Sequence, residues 1–162
     1  MTETETLEND GRNETEAERL DRNWNEILQE LRVTQTGTQI LTGFLLTLAF
    51  QQRFTDLDQF QVDVYLVLVV LATLATALAL APVSLHRALF RQNAKARVVR
   101  MANRILKSTL VVVAIVLAGT VLLIFDVVLD RTAGIVAGSI AIVVITLGWL
   151  SLPAFARPRP GE

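Results

Sequence analysis

Apolar residues dominate four long runs of the chain, at Thr34–Gln52, Val62–Leu85, Thr109–Leu129 and Ala133–Leu152. The hydrocarbon core of a bilayer is about 30 Å thick, and a helix that rises about 1.5 Å per residue crosses it in about 20 residues. Because lipid offers no hydrogen bonds, the backbone groups of each run must pair within the run, as they do in a helix. The pattern therefore predicts an all-α, polytopic membrane protein with four transmembrane helices.

Two charged segments also have helical periodicity. The segment before the first run carries five apolar side chains on one face, at Leu20, Trp24, Ile27, Leu28 and Leu31. It follows a capping-box sequence from Thr15 to Glu18, which is typical of a helix start. The segment before the third run carries a second such face, at Ala94, Val98, Met101, Ala102 and Ile105. We expect two cytoplasmic amphipathic helices that lie on the membrane surface or pack on another cytoplasmic element, the second able to continue into the third span.

The composition divides the chain into a membrane domain and two tails. Residues 1–18 contain seven acidic residues and one basic residue, and are predicted to be an acidic disordered tail. Residues 19–155 form the predicted membrane domain, and residues 156–162 a short cytoplasmic tail. The first residues lack the basic start and apolar run of a secretory signal, so the first span is expected to direct insertion.

Charge is divided unevenly between the connections. His86–Ser108 contains seven Lys or Arg residues and no acid, whereas Arg53–Asp63 contains one Arg and three Asp residues. Short loops rich in Lys and Arg stay in the cytoplasm. We therefore predict a protein of the bacterial cytoplasmic (inner) membrane with both termini cytoplasmic. The basic segment 87–107 is expected to meet anionic lipid headgroups rather than nucleic acid.

The residue types argue against an enzyme. The chain has no Cys, which excludes disulfides, thiolate metal sites and cysteine nucleophiles. Its one histidine, His86, has no partners at the spacing of a metal site or a catalytic triad. The glycines Gly134 and Gly138 are not followed by the Gly-Lys-Ser/Thr of a phosphate loop. We expect no catalytic residue, no metal ligand and no cofactor.

Polar side chains within the runs are concentrated in the first span, where Gln35, Gln39 and Thr42 lie near one helical face. Amides in lipid bond to neighbouring helices, so this face is expected to point into the bundle and join helices. The alternative is a conduit lined by these three residues in a small oligomeric transporter or channel. A transporter would be expected to bury ionisable groups, and the sequence predicts no buried carboxylate.

Small residues predict where helices approach closely. Gly134 and Gly138 form a GxxxG motif in the fourth span, and Ala114 and Ala118 form a similar pair in the third. Packing between helices of one chain or of two copies accounts for both pairs. Pro82 is expected to kink the second span or to mark its end.

Two longer motifs carry a family resemblance. The entry to the first span reads EILQELRVTQTGTQIL from Glu26 to Leu41, and the exit from the second reads APVSLHRALFR from Ala81 to Arg91. With these motifs, residues 22–155 resemble a family of small uncharacterised actinobacterial four-helix membrane proteins, a domain of unknown function. The resemblance implies a four-helix membrane fold. Some relatives carry an automatic sodium/proton antiporter label, but antiporters usually bury carboxylates in many more helices, so the resemblance supplies no mechanism.

Both motifs fall at the predicted cytoplasmic boundary and carry opposite charges. We refer to six of their residues as the candidate clasp: Glu26, Glu30, Arg32, His86, Arg87 and Arg91. Acids of one segment beside bases of the other would form charge-assisted pairs. Such pairs would tie the N-terminal helix to the bundle, and the alternative is a functional site at this boundary.

The sequence thus predicts an integral inner-membrane protein of unknown biochemical activity, without enzymatic function. We expect it to act through helix–helix contacts or as a partner subunit, in a homo-oligomer or with another membrane protein. A small oligomeric transporter or channel is the alternative.

The charge distribution yields a test of topology. Reporter domains fused after residue 95 or at the C-terminus should give cytoplasmic signals. The reason is that Arg87–Lys107, the connection between the second and third spans, contains seven basic residues and no acid. Reporters near Leu57 or Asp130 should give external signals. An external signal from position 95 would contradict the predicted orientation.

Overall fold

The structure, a computed structural model, describes residues 15–89 and 95–155. Nearly all of these residues lie in helices. Within these ranges there are four long α-helices, α1 (Glu16–Leu48), α2 (Gln59–Leu89), α3 (Lys95–Val128) and α4 (Arg131–Phe155), and a short 3₁₀-helix at Gln52–Asp56. The same ranges contain no strand. The all-α prediction is therefore confirmed.

The amphipathic segments are not separate helices. The first is the beginning of α1, which continues without a break to Leu48, and the second is the beginning of α3. Half-buried Trp24, Ile27 and Leu28 lie in the first segment, which favours packing on the protein over lying flat on a surface. The second segment thus continues into the third span, as the sequence allows. The prediction of a separate first helix is wrong, because the helix is not interrupted at the change from charged to apolar residues.

The capping box predicted at the start of α1 is present. Thr15 accepts a hydrogen bond from the Glu18 backbone N–H through Oγ1 at 3.4 Å, and its own backbone N–H donates to Glu18 Oε2 at 2.8 Å. The Thr15 hydroxyl also donates to Glu18 Oε2, at 2.8 Å. The hydrogen bonds from the Thr15 backbone N–H and, second, from its hydroxyl hold the pKa of the Glu18 carboxyl below its ordinary value. The bond therefore supports the helix start at neutral pH and is lost as acid protonates the carboxylate.

Among the described residues, three helices contain segments long and apolar enough to cross a membrane, at Gln59–Pro82, Val99–Val128 and Arg131–Trp149. They indicate a membrane protein. The sequence predicts four spans, and three of them, in α2, α3 and α4, are apolar enough by this measure. The helix that contains the remaining predicted span, α1, is not. Two glutamines and five threonines interrupt its apolar run before Leu48, and they lower its mean hydropathy.

The helices run alternately up and down, with α3 at the centre. Both α2 and α4 pack extensively along α3, and α1 packs on α2 and to a lesser extent on α3. The core cluster joins α1, α2 and α3 through six buried residues: Leu45, Tyr65, Leu68, Ala72, Val116 and Leu123. We call the end that holds residues 49–58 and 129–130 the turn end, and the opposite end, where Arg100 and Arg104 lie, the basic end.

Small residues bring α3 and α4 together within one chain. A methyl group added to Gly134 would lie 2.8 Å from the carbonyl oxygen of Leu122, and one added to Gly138 would lie 2.8 Å from Leu122 Cβ. Ala114 and Ala118 are buried in α3. The GxxxG motif therefore serves the α3–α4 contact of the same chain, where it allows the backbones to approach closely.

Pro82 neither ends α2 nor lies at its surface. The helix continues through this residue to Leu89, and Pro82 is buried. The apolar segment of α2, however, ends at Pro82, so this proline marks the change from apolar to charged residues rather than the end of the helix.

Candidate functional site

The turn end holds a cluster of charged and amide side chains from three parts of the chain. The guanidinium of Arg131, the first residue of α4, donates from Nε to Asp126 Oδ2 at 2.7 Å and from a terminal nitrogen to Asp58 Oδ2 at 2.6 Å. Asp126 lies in the last turns of α3, and Asp58 precedes α2. One side chain thus joins the starts of α2 and α4 to the end of α3.

Gln61 completes this cluster, which we call the turn-end cluster (Asp58, Gln61, Asp126 and Arg131). Its side-chain amide donates to Asp126 Oδ1 at 3.1 Å. It also forms a reciprocal cap with Asp58, because the Gln61 backbone N–H donates to Asp58 Oδ1 at 2.9 Å and the Asp58 backbone N–H donates to Gln61 Oε1 at 3.0 Å. The cap places the Gln61 amide where it can reach α3.

Asp126 is the buried member, with a side chain only 3% exposed, whereas the side chain of Arg131 is 40% exposed. The Arg131 guanidinium carbon also lies 3.8 Å from the centre of the Phe60 ring, which adds a cation–π contact. Both carboxylate oxygens of Asp126 have donors, and no buried side-chain nitrogen or oxygen in the described ranges lacks a hydrogen-bond partner. The cluster is therefore a closed network that fixes helix ends.

The expectation that no carboxylate is buried is wrong. Asp126 lies close to the end of the third apolar run, a position that predicts an exposed carboxylate, but α3 continues past it to Val128 and the side chain is buried. Two sequence signals could have indicated the cluster. Arg131 follows Asp126 by five residues across a short turn, and Asp58 and Gln61 have the spacing of a capping box.

Polar side chains of α1 also contact α2, farther from the turn end than the turn-end cluster. The side-chain amide of Gln35 donates to the carbonyl oxygen of Ala79 at 2.9 Å. Thr42 Oγ1 lies 3.2 Å from the carbonyl oxygen of Ala72 and 3.1 Å from the hydroxyl of Thr76. Gln35 and Thr42 of α1 therefore both contact α2.

A buried tyrosine extends the same contact towards the turn end. Tyr65 donates its hydroxyl to the carbonyl oxygen of Leu45 at 2.8 Å. The Phe54 ring meets the Tyr65 ring edge-on, with centres 4.9 Å apart. Tyr65 is not among the predicted site residues, although a lone tyrosine in an apolar run needs a partner for its hydroxyl.

Gln39 does not share the inward face with Gln35 and Thr42, and this part of the prediction is wrong. Gln39 is exposed, and its place in the contact is taken by Thr38, which is only 3% exposed. The α1–α2 seam consists of buried and half-buried positions of α1 separated by four and three residues: Leu31, Gln35, Thr38, Thr42 and Leu45. Gln39 lies one residue beyond Thr38 and is exposed.

The candidate clasp is described only in part. Glu26 accepts a hydrogen bond from Arg22 of its own helix at 3.3 Å, and Glu30 and Arg32 are exposed. His86 and Arg87 lie in α2, with side chains outside the described residues, and Arg91 lies outside them altogether. The clasp stays a prediction.

In the described part of the chain, no group of three His, Cys, Asp or Glu residues is arranged to hold a metal ion. The two features with long-range polar contacts are the turn-end cluster and the α1–α2 seam. Their donors and acceptors are used in joining helices.

The turn-end cluster predicts a specific pattern of stability changes. Arg131→Met should lower the melting temperature in detergent, because it leaves the Asp126 carboxylate buried with one donor, a loss of about 1–3 kcal/mol. Adding Asp126→Asn should restore part of that loss, since no unpaired charge is then buried. Arg53→Met, at an exposed site on the same end, is the matched control and should have little effect.

The α1–α2 seam predicts a smaller effect. Thr42→Val should lower the melting temperature by the equivalent of about 0.6 kcal/mol, because bonds between membrane helices contribute little more than this on average. Thr73→Val is the matched control, since Thr73 is exposed and bonds only the Val69 carbonyl of its own helix among the described contacts. Equal losses in both variants would contradict a joining role for Thr42.

Comparison with known proteins places these features in a family. No curated protein and no solved structure matches the chain. A family model, described as a family of unknown function and named DUF6328, matches residues 13–153. This range contains the turn-end cluster, the seam and nearly all of the four helices. It agrees with the resemblance to a domain of unknown function. The chain belongs to the DUF6328 family.

Proposed function

We propose that the chain is an integral protein of the bacterial cytoplasmic membrane in which α1 is a fourth spanning helix. The support comes from the seam, because Leu45 contacts Tyr65 near the turn end and Gln35 contacts Ala79 near the basic end. Between these contacts α1 lies alongside the apolar segment of α2. Its inward polar side chains are all hydrogen-bonded, Gln35 and Thr42 to α2 and Thr38 to the Gln35 carbonyl of its own helix, which lowers the cost of placing them in lipid.

Both termini are proposed to be cytoplasmic. Exposed Arg100, Arg104 and Lys107 lie on one face near the start of α3, and the turn end carries Asp56 and Asp58. This division follows the positive-inside rule. The basic face is suited to anionic lipid headgroups, each charge contributing about 1 kcal/mol near the surface.

The proposed role is that of a non-enzymatic subunit that acts through helix contacts. One observation carries this proposal: an exposed stripe of α1, next to the contact with α2, contains Thr36, Gln39 and Gly43. No heavy atom would lie within 4 Å of a methyl group added to Gly43. A face of amide, hydroxyl and glycine is typical of helix interfaces in membranes and is poorly suited to lipid chains.

The test is the mass of the protein extracted together with its surrounding lipid into nanodiscs. We expect an assembly of more than one polypeptide for the wild type. Gly43→Leu should reduce it to single chains, because the larger side chain separates the helices. Gly37→Leu is the matched control, since Gly37 is equally open but lies about 120° away around α1. A wild type found only as single chains would contradict the proposal.

A small oligomeric transporter or channel is the second candidate, and the buried carboxylate of Asp126 is the observation that favours it. Its position argues for a structural role instead, because it lies at the turn end and both oxygens are bonded. Flux of protons or sodium ions into vesicles containing the protein, reduced by Asp126→Asn, would favour this candidate over a subunit without transport.

A further inference from the structure

Gln39 places an amide in the apolar layer on the outside of the bundle. Its neighbours on α1 fix its depth, because Gln35 is level with Ala79 and Thr42 is level with Thr76. Thr76 lies six residues, or about 9 Å, inside the Pro82 end of the apolar segment of α2. Gln39 is exposed there, and an amide surrounded by hydrocarbon has four hydrogen-bonding positions without water to fill them.

The residues around Gln39 form a second seam on α1. Thr36, Gln39, Gly43 and Leu46 are all exposed and are separated by three, four and three residues. This spacing is the one with which two helices pack side by side over several turns. Glycine at position 43 would allow the backbones to approach, and nothing within the chain occupies that space.

We infer that this second seam is the contact surface for a second copy of the same chain, with the two Gln39 side chains bonded to each other across a two-fold axis. This inference rests on the proposed role as a subunit, and it identifies the binding partner as a second copy of the same chain. An amide both donates and accepts, so two glutamines related by a two-fold axis satisfy one another, as an isologous contact requires.

Electrostatics also favours a second copy. The stretch from Thr36 to Leu48 carries no ionisable residue, so the surface offers no charge for an oppositely charged foreign helix. Two identical neutral faces meet without like-charge repulsion. The rest of the bundle does not cover this seam, since all four of its residues are exposed.

Cysteine cross-linking tests the inference directly, because the natural chain has no Cys. Gly43→Cys in native membranes treated with a mild oxidant should give a disulfide-linked dimer, since facing seam positions bring Cα atoms within about 7 Å. Gly37→Cys should not, and neither change disturbs the fold, because both glycines have open space around them. Adding Gln39→Leu to Gly43→Cys should lower the yield of dimer about threefold.

Three outcomes would overturn this inference alone. The first is equal yields of dimer from Gly37→Cys and Gly43→Cys, and the second is a yield that Gln39→Leu leaves unchanged. The third is a nanodisc assembly in which each copy of this chain is bound to a different protein through Gly43. This last result would leave the proposed subunit role standing, whereas single chains in nanodiscs would contradict both proposals.

Discussion

The pairing of Asp126 with Arg131 constrains the positions of three helices. A carboxylate that is almost completely buried must keep its donors, and these come from the start of α4 and from the start of α2. Because both donors are held by short connections, α2 and α4 cannot slide along α3 without breaking this network. The register fixed in this way also sets the glycine contacts of α4. Gly134 meets Leu122 and Asp126 of α3, and Gly138 meets Leu122 and Ala118.

Among the described contacts, neutral hydrogen bonds, rather than ion pairs, attach α1 to the other helices. It contacts α2 through neutral hydrogen bonds from Gln35, Thr42 and Tyr65, each of which contributes modestly. Unlike the other three helices, it contains no segment apolar enough to span a membrane by composition. The bundle therefore consists of three tightly connected apolar helices and a fourth, more polar helix that is bonded along one side and open along the other.

Periodicity predicted much of this fold, because hydropathy and helix length are local properties of the chain. Four long helices, the capping box at Thr15 and the concentration of polar residues in α1 follow from local sequence. The burial of Asp126 could not be read in the same way. It depends on how far α3 continues and on which helix covers it, and both are decided by tertiary packing.

The choice between Thr38 and Gln39 illustrates the same limit at smaller scale. On an ideal helical wheel Thr38 and Gln39 lie about 50° to either side of the direction shared by Gln35 and Thr42, so these two polar residues do not distinguish them. The packing of the other helices against α1 covers the Thr38 side and leaves Gln39 exposed. Helical periodicity therefore identifies the polar part of α1 without deciding which of two adjacent residues faces the partner.

The unbroken course of α1 has a mechanical consequence. A helix of 33 residues is about 50 Å long and bends little unless proline or a similar defect interrupts it. Any force that tilts α1 by about 5° relative to the other helices would displace its far end by about 4 Å. Such a rod would transmit a small rearrangement between spanning helices to its charged N-terminal turns as a movement comparable to the width of a side chain.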